Sequence, residues 1–151
     1  EILDLLITKY NRNVSLVLAG DGKDLSVIKK MVASKGLSDN VQFLGYVDNP
    51  ELVMKSSDIY LCAMVGNDPG ISGLQAGQLE VPVLGIQTVN GFQSKPLVSS
   101  DSASELAGVI DNFMNNPTLM REYSTDVKKY IDDKFSVGGM LTSYRALYDQ
   151  I

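Results

Sequence analysis

The chain has 151 residues, 44% of them hydrophobic, a formal net charge of −5 at pH 7, and no histidine. That length fits one domain with a proper core, and the acidic balance argues against a broad electrostatic footprint for nucleic acid or anionic lipid, though a local basic pocket is compatible with it. The missing histidine excludes Ser-His-Asp and Cys-His nucleophilic centres, HExxH zinc sites and most imidazole acid/base chemistry.

In chain order, residues 1–10 read as an amphipathic helix carrying Ile2, Leu5 and Leu6, ended by Asn11-Arg12-Asn13. The start carries Glu1 and Asp4, which is no signal peptide, and no apolar run approaches a membrane span. Residues 14–19 (VSLVLA) form a strand. Gly20-Asp21-Gly22 then turns into a helix with Leu25, Ile28, Met31 and Val32 on one face, stopped by Gly36. This turn has half of a dinucleotide fingerprint, but Leu25 stands where the third glycine belongs, so it reads as a plain turn. A strand at 41–44 follows, then Gly45 and Tyr46-Val47-Asp48-Asn49, and Pro50 opens a short helix as a favoured first-turn residue. Residues 58–63 (DIYLCA) are a buried-type strand, with the lone Cys62 as a core residue.

The segment from 64 to 84 organises the chain. A turn, Gly66-Asn67-Asp68-Pro69-Gly70, leads into a helix with an apolar stripe of Ile71, Leu74 and Leu79, kept slim by Ala76 and Gly77, and then into a strand at 82–86. Glycine directly before a helix lets an anion approach backbone N–H groups at the positive end of the helix dipole. An anion-binding turn and a plain βαβ crossover both fit the local sequence. A polar loop at 87–95 and a short edge strand at 96–99 come next. Helices at 102–114, 119–135 and 137–151 close the chain, with Asn115-Asn116-Pro117 as a break. Alternating strands and helices with buried-type strands predict an α/β fold, a three-layer Rossmann-like parallel sheet in a single domain. The acidic residues never form an Asp-x-Asp pair, and Asp132-Asp133 point different ways on a helix, so no divalent metal site is expected.

The series VSLVLAGDG, KGL, DNVQFLGYVDNPELVMKSSDIYLCA and NDPGISGLQAGQLEVPVLG, in that order and spacing, resembles the C-terminal, donor-binding half of the GT-B-fold group-one glycosyltransferases (family four, retaining). The resemblance runs from about Val14 to Val98; the tail helices fit less specifically. It implies two glutamates eight positions apart around the phosphate turn, one near the donor sugar and one accepting the ribose hydroxyls. With Pro82-Val83 fixing the alignment, Asn67 holds the first position and Gln75 the second; a loop one residue shorter puts Asp68 in the first. A carboxylate accepts hydroxyl protons at about 1.5–3 kcal/mol each and an amide oxygen at about 0.5–1.5, so nucleotide binding should weaken. Gly70, Ile71 and Ser72 match the backbone that cradles the donor diphosphate, and Pro69 deletes one N–H there. Tyr46, Val47 and Asp48 match the place where the family holds the base. Tyr46 reads equally as a surface aromatic, and Asp48 as an N-cap or Asx-turn before Pro50. Lys95 and Arg12 read as solvated charges.

The resemblance also implies an arginine and a lysine for the diphosphate from a first strand and its loop, and an N-terminal acceptor-binding domain, neither of which this chain contains. It is expected to be a fragment of a longer polypeptide or a reduced one, and inactive alone. The missing strand belongs in mid-sheet: another segment replaces it, its neighbours close up, or this chain omits it. The function implied is metal-independent, cofactor-free transfer of a sugar from a nucleotide-diphosphate donor to a glycan or lipid-linked acceptor bound by the missing domain, as in polysaccharide biosynthesis. The base is not specified. The expected setting is cytoplasmic, any membrane association coming through the missing domain. The alternative is a degenerate, non-catalytic nucleotide- or partner-binding module of the same fold. A flavodoxin-like or receiver-like domain is a third reading, disfavoured by the lack of an acidic phosphoacceptor cluster.

Overall fold

Short apolar runs separated by amphipathic stretches fold as strands and helices in strict alternation through most of the chain. The structure, a computed structural model, describes residues 1–64, 70–87 and 97–149. Among these residues five strands, β1 (Leu16–Ala19), β2 (Val41–Gly45), β3 (Tyr60–Met64), β4 (Val83–Gln87) and β5 (Val98–Ser100), are accompanied by a short 3-10 turn at Ser38–Asn40 and seven α-helices. These are α1 (Ile2–Thr8), α2 (Leu25–Ser34), α3 (Pro50–Lys55), α4 (Gly70–Gln78), α5 (Ala103–Asn115), α6 (Pro117–Phe135) and α7 (Val137–Tyr148). Every described strand pair is parallel, so β1 reaches β2 by a crossover through α2 and β3 reaches β4 by one through α4.

The strands form two sections rather than one ladder. β1 pairs with β2, and β3, β4 and β5 pair in that order, while β1 and β3 share no ladder among the described residues. Of the three outcomes expected for the missing middle strand, closing up is therefore not what the chain does. The three-stranded section is covered on both faces. On one side Leu6 of α1 and Leu106, Ala107, Ile110 and Phe113 of α5 pack with Leu84, Ile59 and Leu61. On the other, Ala76 of α4 and Val127 and Ile131 of α6 pack with Cys62, Val83 and Leu97. Neighbouring residues Val83 and Leu84 thus enter opposite cores, as the period-two strand requires.

Gly73, Ala76 and Gly77 make the buried face of α4. A Cβ on Gly77 would collide with Ile131 Cδ1 and stand 3.1 Å from Val127 Cγ1, so the slim helix lets α6 approach as well as the sheet. Pro117, expected in a break, instead occupies the start of α6 after the single residue Asn116. The first turn of a helix has N–H groups without partners in any case, so proline is favoured there. Tyr123 of α6 inserts its phenol between two strands: its O–H donates to Val83 O at 2.5 Å and accepts from Val98 N–H at 3.0 Å. Burial pushes this phenol up to about 12.

Candidate functional site

In a parallel sheet all strands end at the same edge, and the loops there carry ligands. The expected site residues fall on two stretches at that edge. Gly70, Ile71, Ser72 and Gln75 lie on the first two turns of α4, which follows β3. Tyr46, Val47 and Asp48 lie between β2 and α3, and α3 packs on α4. Asn67 and Asp68 lie outside the described residues, as do Pro69 and Lys95.

Gly70 opens α4 with φ +67°, a left-handed conformation that glycine adopts without strain, and among the described residues no atom lies within 4 Å of where its Cβ would be. Ile71, expected in the apolar stripe of the helix, is instead 78% exposed. Its place on the wheel explains this: at about 100° per residue it lies roughly opposite the Gly73, Ala76 and Gly77 face. Gln75, one turn on, shares that outward side and is half-buried, and Ser72 is exposed. Leu74 and Leu79 do pack on the core.

On the second stretch, Gly45 has φ +66° and accepts a hydrogen bond from Gly20 N–H at 2.6 Å, tying the ends of β1 and β2. Tyr46 is 79% exposed, Val47 half-buried and Asp48 exposed. The N-cap of α3 is Asn49, without a side-chain cap bond, so Asp48 does not hold that position. The turn expected at Gly20-Asp21-Gly22 lies slightly later, with Leu25 N–H donating to Gly22 O at 3.1 Å, while Asp21 Oδ1 accepts from Gly22 N–H at 2.7 Å.

Two polar groupings escaped the sequence reading. Arg12, expected as a solvated charge, donates to Asp111 at 2.6 Å and to Asn115 at 2.5 Å, fixing the α1–β1 loop on α5. No local pattern marks a pair this far apart in sequence. At the C-terminal end of β5, buried Ser100 donates to Glu105 Oε2 at 2.5 Å and accepts from Ser102 N–H, while Ser102 Oγ caps α5 by accepting from Glu105 N–H. Here a signal existed: Ser102-Ala103-Ser104-Glu105 is the capping-box pattern. A depression of about 240 Å³ bordered by Lys55, Asp58, Glu80 and Arg121 lies at the opposite edge of the sheet and contains none of the expected site residues.

The sequence profile of the family described as "Glycosyl transferases group 1" matches residues 1–131. The chain belongs to that family. It is 22% identical over 156 residues to the poly(ribitol-phosphate) alpha-N-acetylglucosaminyltransferase of Staphylococcus aureus, an alignment covering 99% of this chain and 31% of the relative. It is also 22% identical to the O-antigen biosynthesis glycosyltransferase WclY of Escherichia coli, covering 99% of this chain and 43% of that protein. Among solved structures, TarM superposes with a TM-score of 0.80 at 22% identity, over 97% of this chain and 31% of that one. Anabaena Alr3699/HepE in complex with UDP-glucose gives 0.75 at 19% identity, over 99% and 44%. The Rossmann-like half of the GT-B fold is thus the fold of this chain, which spans less than half the length of these relatives. Receiver-like and flavodoxin-like readings are set aside. No helix among the described residues is long and apolar enough to cross a membrane, and no three described His, Cys, Asp or Glu side chains form a metal-ion group.

Proposed function

We propose that this domain binds the nucleotide-diphosphate part of a sugar donor at the start of α4 and supplies the donor half of a glycosyltransferase. One observation carries the reading: a left-handed glycine, Gly70, opens a helix at the C-terminal edge of a parallel sheet in a chain of the group 1 family. The start of α4 is the positive end of its helix dipole, which favours the negative charge growing on a leaving diphosphate. Ile71 and Ser72 flank that approach. Gln75 takes the ribose hydroxyls through neutral bonds, and Asn67 or Asp68 stands near the donor sugar. Tyr46, Val47 and Asp48 hold the base. The HepE relative solved with UDP-glucose supports a nucleotide-sugar donor. Chemistry of this kind needs no metal and no separate cofactor. The acceptor, a glycan or lipid-linked sugar in the cytoplasm, is taken by a further domain, consistent with the 31–44% coverage of relatives.

The test is calorimetric titration of the domain with UDP, GDP, ADP and CMP and with UDP-sugars, without metal. Saturable heat with one nucleotide is expected. Ser72→Glu, whose charge suits a helix start but repels phosphate, should abolish it with the fold retained. Gln75→Glu should strengthen it by roughly tenfold, the difference between charged and neutral acceptance. Gln75 in place of an acidic residue also favours a second reading, a module that binds a partner instead of a donor. Silence from every nucleotide, with circular dichroism showing a folded domain, selects that reading.

A further inference from the structure

The depression of about 240 Å³ at the N-terminal ends of β3 and β4 is lined by charges of both signs from four segments. Lys55 ends α3, Asp58 precedes β3, Glu80 follows α4 and Arg121 lies on α6. The ion pairs among the described residues are Arg12–Asp111 and Lys128–Asp132, so these two cations and two acids border one space without neutralising one another. Between them the lining is apolar, with Val81 and Pro82 both buried. Glu80 adds a second, independent observation. Its N–H donates to Gly77 O at 3.0 Å and Val81 N–H donates to Ala76 O at 3.1 Å, which is the helix ending whose left-handed residue is usually glycine. Here a glutamate holds that place at φ +61°. A side chain in this region of backbone space is strained, and residues so held cluster at ligand sites.

We propose that this depression binds a free aliphatic α-amino acid as its zwitterion. The carboxylate meets Lys55 and Arg121, the ammonium meets Asp58 and Glu80, and the aliphatic side chain covers Val81 and Pro82, so each end is held by charge-assisted bonds. The C-terminal end of α4, just before Glu80, is the negative end of its dipole and favours the ammonium there. Inorganic phosphate or a nucleotide would gain the two cations but face two carboxylates, a like-charge contact that selects against it. The volume agrees, since sites for drug-sized ligands run to about 300–1,000 Å³ and this one is smaller. It lies at the sheet edge opposite Gly70, so it stands or falls separately from the donor site.

The experiment is an NMR titration of the 151-residue chain with L-leucine, alongside isopentylamine and 4-methylpentanoate, which keep the side chain but carry one charge each, and inorganic phosphate. Saturable shifts at the Val81 amide with leucine are expected, with the Gly70 amide unmoved. The two singly charged analogues should bind about tenfold more weakly, since each forgoes one charge-assisted contact. Arg121→Gln should weaken leucine by about the same factor. Glu80→Gly separates binding from folding: glycine takes the left-handed φ without strain, so the melting temperature should rise while leucine binding falls about tenfold. No saturable shift with leucine in the folded chain overturns the proposal. Binding that both variants leave unchanged, or amine or acid binding as tight as leucine, overturns it too. So does a response to phosphate with none to leucine, which would assign the two cations to an anion.

Discussion

In the section made of β3, β4 and β5, alternate residues enter two cores, and Val83 and Leu84 are 1% and 0% exposed. In β1, whose Leu16, Val17 and Leu18 are just as apolar, every one of those side chains is only half-buried, and the helix that follows buries nothing. The difference does not lie in strand composition. It lies in what covers the strands: α1 and α5 on one face and α4 and α6 on the other close over β3–β5, whereas among the described residues β1 and β2 share no ladder with β3. A continuous apolar strand is suited to burial on both faces, and β1 has the sequence of a mid-sheet strand in the position of an edge. Stability is therefore concentrated in the C-terminal section.

The same substitution in both sections is the sharpest trial of that contrast. Leu84→Ala should cost about 4 kcal/mol, because a fully buried leucine leaves a cavity, whereas Leu18→Ala should cost about 1–2 kcal/mol. Equal losses in urea unfolding would break the comparison. Next in size, Gly77→Val forces branched carbons into Ile131 and Val127 where α4 meets α6, and should cost about 3 kcal/mol by overpacking; a fully stable variant would mean that α6 moves freely there.

Tyr123→Phe should cost about 2 kcal/mol, since Val83 O and Val98 N–H both lose their partner, and faster amide exchange at Val98 would locate the damage. The same phenol gives the section an alkaline limit. Burial raises Tyr123 from 10.0 to about 12 and Cys62 from 9.0 to about 11, so the unfolded chain releases both protons first. Stability is full below pH 9 and falls as pH rises through 11 to 12. Melts of Tyr123→Phe with Cys62→Ala should flatten that fall. The smallest effect belongs to the tie between the N-terminal loop and α5: Arg12→Ala should cost about 1 kcal/mol, and a double-mutant cycle with Asp111→Ala should return most of it as coupling.

Much of the architecture was legible because period and punctuation act locally. The DIYLCA and PVLGI runs, and the helix between them, sit within two residues of β3, β4 and α4. Pro117 was misjudged because a proline after two asparagines looks like a break, while its lack of an N–H suits a first helical turn equally well. At the site, Gly70 showed in the sequence because only glycine takes a left-handed φ without strain. Ile71 did not, because apolar spacing cannot say which side of a helix faces the sheet when glycine and alanine make the buried face. Arg12 and Tyr123 were beyond reach for another reason: their partners lie 99 and 40 residues away, and only the finished fold brings them together.

The Tyr123 clasp also sets an order of assembly. Val83 and Val98 precede Tyr123 by 40 and 25 residues, so during synthesis both strands leave the ribosome before the group that joins them exists. A nascent chain stopped short of α6 holds β4 and β5 with one carbonyl and one amide unmatched, and with Val127 and Ile131 missing from the core beneath. The contact that joins β4 to β5 through a side chain is thus made only once α6 has been synthesised.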